Sequence, residues 1–158
     1  MNTHDNKHND SHCKTTDKKT LVVIGGGFAG LNLVKRLNKR QWNVVVIDRF
    51  NFHSFPPLFY QVASAGLDPG SISFPLRREM RQRRLRGCTF HLGEVSEIDT
   101  TTKTLSTQYE TLHYDTLVIA AGTTNNFFGN DSLQQSVYTL KPVPEALRCR
   151  NDMLARLE

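Results

Sequence analysis

Apolar and polar positions follow two different periods along this chain, and each change of period marks the edge of an element. Leu21 to Ile24 is an unbroken apolar run rich in β-branched residues, which predicts a strand. It breaks into three glycines, Gly25 to Gly27, after which Phe28, Ala29, Leu31, Leu33, Val34 and Leu37 recur at helical spacing. A second apolar run, Asn43 to Ile47, predicts another strand and ends in Asp48. Strand, tight turn, helix and strand in that order predict an α/β fold built on a parallel sheet.

The pattern then loses its period. Arg49 to Pro69 carries Phe50, Phe52, Phe55, Phe59, Tyr60 and the Pro56-Pro57 pair. It reads as a loop or short helix that either packs aromatics against a flat, partly apolar partner or fills core. Gly70 to Arg86 predicts a helix, with Ser71 or Ser73 as N-cap and Pro75 in the first turn. Thr89 to Leu92, Glu94 to Asp99, Lys103 to Gln108 and Thr111 to His113 alternate between polar turns, which predicts a β-meander with one solvated face. Thr116 to Ala121 is nearly all apolar and predicts a central parallel strand buried on both faces, ended by Gly122. Leu140 to Glu158 predicts a last helix starting near Pro142 or Pro144, with Leu147, Met153 or Leu154, and Leu157 on its apolar face.

The glycines give this framework its chemistry. Gly25, Gly27 and Gly30 stand at G-x-G-x-x-G spacing between a predicted strand and helix. Gly25 permits the turn, Gly27 lets a pyrophosphate approach the backbone, and Gly30 lets helix and strand pack closely. The helix N-terminus offers unpaired N–H groups and a partial positive charge to phosphate. Asp48 stands at the downstream position from which an acid accepts hydrogen bonds from a ribose. An acid there repels a 2′-phosphate, so NAD or FAD is expected rather than NADP.

Residues 1 to 19 are dense in Asn, Asp, Lys and His and predict a disordered polar tail, leaving 20 to 158 as the folded domain. His4, His8, His12 and Cys13 lie within that tail, where the ordering entropy opposes a metal site. With 158 residues the chain has the size of one domain. It has no apolar run long enough for a membrane span and no apolar signal-peptide core, so a soluble, non-secreted protein is expected. Cys13, Cys88 and Cys149 form no CxxC or metal-ligand pattern, which suits a reducing compartment. The net charge of +5 has a local origin, because Arg77 to Arg86 holds six arginines and one glutamate. Such a run reads first as a solvated helix face, with an anionic membrane surface or substrate as the alternative. No aromatic interleaving or recognition motif supports nucleic acid.

Four stretches together resemble one family. VVIGGGFAGL, IDRFNFHSFPPLFYQVASAGLDPGSISFPLR, YDTLVIAAGTTNNFFG and LKPVPEAL are similar to the N-terminal part of type II NADH:quinone oxidoreductases, within the pyridine-nucleotide-disulfide oxidoreductase superfamily. The string PLFYQVASAGLDP carries most of the specificity. The resemblance implies a Rossmann-like FAD-binding domain with a parallel sheet and a β-meander, incomplete relative to the family. It implies that Gly25, Gly27, Phe28, Ala29 and Gly30 face the FAD pyrophosphate, with Asp48 at the adenosine ribose and Arg49 beside the adenine end. It also implies that Ser54, Phe55 and Pro56 pass the flavin ring, that the Val95 backbone pairs with adenine, and that Ala120, Ala121 and Gly122 form the strand end beside the flavin.

The family's reaction is hydride transfer from NADH to FAD and onward to a membrane quinone, on an enzyme peripheral to the inner face of the membrane. A homodimer is compatible with it. Two departures stand out: Ala121 replaces the usual threonine, and Pro56 a common glutamine. The lost hydroxyl removes one hydrogen bond, about 1 kcal/mol. No cysteine lies between Cys13 and Cys88, where the superfamily's disulfide reductases carry a redox pair, so direct electron transfer from the flavin is expected. No second G-x-G-x-x-G follows Gly30, and no amphipathic anchor follows. The expectation is therefore a truncated flavin-binding portion, inactive alone, the alternative being a dinucleotide-binding module without catalysis.

Overall fold

A computed structural model describes residues 18–157. The predicted metal candidates of the tail and nearly all of the predicted disordered segment lie outside the described residues. Lys19, the last residue of the predicted tail, pairs with Trp42 at the start of the central sheet.

The central element is a four-stranded parallel sheet. Strand β1 (Lys19–Ile24) lies between β2 (Trp42–Asp48) and β9 (Thr116–Ile119), and β5 (Cys88–Leu92) extends the sheet beyond β2. Side chains alternate between the two faces, as a pleated strand requires. Leu21, Val23, Val44 and Val46 face one way and join Leu31 and Val34 of helix α1 (Phe28–Arg36), together with Leu76, Met80 and Leu85. Val22, Val45 and Ile47 face the other way and meet Leu105 and Tyr114. Both central strands are therefore covered on both faces, the reason they read as continuous apolar runs.

The second face is covered by an antiparallel sheet of β6 (Val95–Asp99), β7 (Thr104–Thr107) and β8 (Thr111–His113). That is the expected meander, with one correction. Thr89 to Leu92 belongs instead to β5, whose Val44↔Cys88 to Asp48↔Leu92 register places it in the parallel sheet.

The aromatic segment after Asp48 folds into β3 (Phe52–Ser54), a 3₁₀ turn at Pro56–Leu58 and helix α2 (Phe59–Ala63). The helix expected over 70 to 86 is not continuous. Pro69–Ser71 forms a 3₁₀ turn, β4 (Ser73–Pro75) pairs antiparallel with β3, α3 (Leu76–Met80) follows, and Arg83–Leu85 forms another 3₁₀ turn. Pro75, without an N–H, closes the strand and starts α3, so neither Ser71 nor Ser73 is its N-cap. Breaking the helix after Met80 lets Leu85 reach the same core as Leu76 and Met80, while the arginines between them stay exposed.

Two further expectations are corrected. Strand β9 pairs only with β1, and Ile119 is 67% exposed, so β9 is an edge of the described sheet and not a central strand. Helix α4 (Asp131–Ser136), capped by the Asn130 side chain accepting from the Leu133 N–H, was not expected. In α5 (Val143–Ala155) the buried residues are Val143 and Ala146, which pack with Phe59, Val62, Ala63 and Ile72, and Leu147 is partly buried beside them. Met153, Leu154 and Leu157 are exposed, because only the first turns of α5 reach α2.

Candidate functional site

The carboxyl ends of β1, β2 and β9 converge at the glycine turn. Gly25 donates its N–H to the Ile47 carbonyl at 2.7 Å, and Ala120 donates to the Ile24 carbonyl at 2.7 Å. Gly25 has φ +105°, and a Cβ there would sit 2.2 Å from the Ala120 carbonyl oxygen. A Cβ on Gly30 would lie 1.9 Å from the Gly25 oxygen, so this glycine seats α1 against the turn. Gly27 differs from both, since a Cβ would meet nothing within 4 Å. Its lack of a side chain is not required by the protein's own packing, as expected where an outside group must approach.

Gly27 is the N-cap of α1, makes no side-chain cap and is followed by no acid in the first turn. The N–H groups at this helix start are therefore available to an anion. Phe28 and Ala29 are exposed at the same place. The Phe28 ring leans on Phe55 and on His53, each at 5.4 Å between centroids.

Asp48, at the end of β2, turns its carboxylate back onto the glycine loop. Oδ2 accepts from the Gly26 N–H at 2.7 Å and Oδ1 from the Phe50 N–H at 2.8 Å. Each oxygen keeps further accepting capacity, and Asp48 lines the cleft beside it. That cleft, about 220 Å³, is lined by Gly25, Asp48, Val95, Gly93, Glu94 and Thr124 among others. A second cleft of about 370 Å³ is lined by Ser54, Pro56, Phe59, Gly122, Asn125 and Lys141 among others. Arg49, Ala121 and Thr124 border both, which makes them one continuous groove. Arg49 stacks over Phe50 at 5.0 Å and lies 3.8 Å from Glu94.

The expected residues thus fall into three groups. Gly25, Asp48, Arg49, Ser54, Pro56, Val95, Ala121 and Gly122 line the groove. Gly27, Phe28, Ala29 and Phe55 lie along the exposed start of α1 and its aromatic neighbour. Gly30 and Ala120 sit behind the turn: Gly30 is buried, and Ala120 packs on the core next to Val118.

Sequence reasoning missed several groove residues. Glu94, Thr123, Thr124, Asn125 and Lys141 line it, and for Thr123, Thr124 and Asn125 the polar run after Gly122 was the available signal. It also left His53 without a role. His53 is buried, with Nδ1 3.0 Å from the Gly26 carbonyl oxygen and its ring against Phe74 at 4.8 Å, so it fixes β3 to the glycine turn.

The remaining cysteine chemistry is quiet. Cys88 and Cys149 are free, and burial pushes the Cys88 thiol up, with Lys39 opposing in part, which disfavours the reactive thiolate. Among the described residues no group of His, Cys, Asp or Glu could hold a metal ion. No helix among them is long and apolar enough to cross a membrane.

Comparison with known proteins agrees with this architecture. The family model described as pyridine nucleotide-disulphide oxidoreductase matches residues 19–156. The type II NADH:quinone oxidoreductase Ndh of Mycobacterium tuberculosis is 35% identical over 143 residues, which is 87% of this chain and 30% of that protein. NDH2 of Plasmodium falciparum, solved in complex with NADH, superposes with a TM-score of 0.80 at 22% identity, over 89% of this chain and 30% of that one. The sulfide:quinone oxidoreductase of Aquifex aeolicus superposes with a TM-score of 0.78 at 25% identity, over 88% of this chain and 32% of that one. The chain spans about 30% of the length of the curated relatives it matches first. With a glycine turn, an acid closing β2 and a family match over nearly all the described residues, this chain belongs to the pyridine nucleotide-disulphide oxidoreductase family.

Proposed function

We propose that this chain is the FAD-binding part of a type II NADH:quinone oxidoreductase. The observation that carries the reading is the continuous groove from Asp48 and Val95 to Ser54, Gly122 and Lys141, which has the α1 N-terminus beside its glycine turn. Its length suits an elongated dinucleotide, with Asp48 and Glu94 in one half and Pro56, Phe59 and Lys141 in the other.

In this reading Asp48 receives the adenosine ribose, and the Val95 backbone the adenine. The open face of Gly27 and the N–H groups of α1 receive the pyrophosphate. Ser54, Pro56, Ala121 and Gly122 line the place of the flavin ring. Bound there, FAD supplies a two-electron acceptor for hydride and a donor to quinone. This chain's own residues bind and orient: Asp48 holds the turn in shape, and His53 anchors β3 beside it. NADH and a membrane quinone are the partners proposed for the complete enzyme, with peripheral attachment to the membrane.

The test is direct. The purified chain is incubated with FAD, desalted, and its flavin absorbance and circular dichroism are read. Retained flavin on a folded chain supports the reading, and a folded but colourless chain overturns it. NADH consumption with a soluble quinone analogue is expected to be undetectable from these 158 residues, which carry a single glycine fingerprint.

A further inference from the structure

The two halves of the groove differ in charge. The first half sets Asp48 and Glu94 against Arg49. The second half is lined by Arg49 and Lys141, and no carboxylate lines it. Arg49 is partly offset by Glu94 at 3.8 Å, whereas the Lys141 ammonium donates to the Thr123 hydroxyl at 3.0 Å, a neutral partner. Thr123 directly follows Gly122 at the end of β9, and Lys141 directly precedes the Pro142 N-cap of α5. The hydrogen bond therefore fixes an exposed cation at one place between two elements that both border the groove.

We propose that Lys141, oriented by Thr123, is a positioning cation for the redox-active end of the bound ligand. The assignment rests on the flavin reading above. Hydride acceptance delivers two electrons and one proton, a net gain of one negative charge until a second proton arrives from water. A fixed ammonium beside that charge favours the reduced form over the oxidised one, because the attraction exists only after reduction. Lys141 thus raises the ligand's reduction potential more than it raises affinity for the oxidised form. Its reach to Thr123 keeps the charge in place without neutralising it.

The experiment compares the FAD-loaded chain with Lys141→Gln, Lys141→Arg and a remote control, Lys39→Gln. FAD affinity is read by flavin fluorescence and the midpoint potential by equilibration with a reference dye. Lys141→Gln keeps a donor for Thr123 but removes the charge. It is expected to weaken oxidised FAD binding no more than a few-fold and to lower the preference for reduced flavin about tenfold, a potential about 30 mV lower. Lys141→Arg is expected to restore the potential, and Lys39→Gln to leave it unchanged. A purely structural lysine would give Gln and Arg variants with the same potential, and that result overturns the assignment. So does a Lys141→Gln potential equal to that of the unmodified chain. If the unmodified chain retains no flavin, the flavin reading itself fails and the assignment falls with it.

Discussion

The Asp48 carboxylate accepts the Gly26 N–H at 2.7 Å, across 22 residues of sequence. The acid at the end of β2 therefore shapes the glycine turn before any ligand arrives, and the same side chain borders the groove. Position and preorganisation come from one group, which makes its removal doubly informative.

Replacing Asp48 with Ala leaves the Gly26 and Phe50 N–H groups without their charged acceptor. Hydrogen bonds to charged groups contribute about 1.5–3 kcal/mol each, and the partial exposure of Asp48 puts the total loss near 2–3 kcal/mol. Urea unfolding is expected to show that loss for Asp48→Ala and a smaller one for Asp48→Asn. FAD retention is expected to fall in both.

The three glycines of the motif separate into packing and binding roles. Gly30→Ala would place a methyl 1.9 Å from a backbone oxygen that cannot move without opening the turn. A loss above about 4 kcal/mol is expected, with little soluble folded protein. Gly27→Ala meets open space at φ −75°, a conformation any residue adopts. Its stability is expected to change by less than about 1 kcal/mol, while FAD affinity drops at least tenfold. Thermal melts and flavin titration of the same samples separate the two outcomes.

Glu79 is 8% exposed and is held by Lys35 Nζ at 2.9 Å and by Gln82 Nε2 at 2.5 Å, tying α3 to α1. Removing Lys35 leaves a buried carboxylate short of its counter-charge. Because the Lys35 side chain is 41% exposed, solvent screens the pair, and Lys35→Met is expected to cost only about 1 kcal/mol. Adding Glu79→Gln to Lys35→Met is expected to recover part of that loss in a double-mutant cycle. A fully additive cycle would show the pair to be uncoupled.

Asp99 closes the turn between β6 and β7, accepting N–H bonds from Thr101 at 2.7 Å and Thr102 at 3.1 Å. The Thr102 side chain first, and then these two N–H bonds, hold its carboxyl below the usual carboxylate range. A lowered folded-state pKa contributes stability that is present above the unfolded-state value and is lost as pH falls through the folded-state value. Unfolding followed from neutral pH into the acid range is expected to show a shallower decline for Asp99→Asn than for the unmodified chain. Identical slopes would mean that the turn contributes nothing to acid lability.

What the sequence determined by itself was local chemistry and short-range order. The runs Leu21 to Ile24 and Asn43 to Ile47 specified strands, and the glycine spacing specified the turn between strand and helix. Asp48 was legible as a groove residue because a fixed distance along one strand-helix-strand unit carries it there. Only the tertiary structure decided which strand Cys88 to Leu92 would pair with, and that β9 would lie at an edge. Periodicity reports whether a face is covered, but not by which neighbour. The same reason hid Lys141. It stands 20 residues beyond Ala121, which borders the same half-groove, and the stretch LKPVPEAL around it reads only as the start of a helix and a family resemblance. Its place follows from the packing of α5 on α2 and the hydrogen bond to Thr123, both long-range contacts that exist only once the chain has folded.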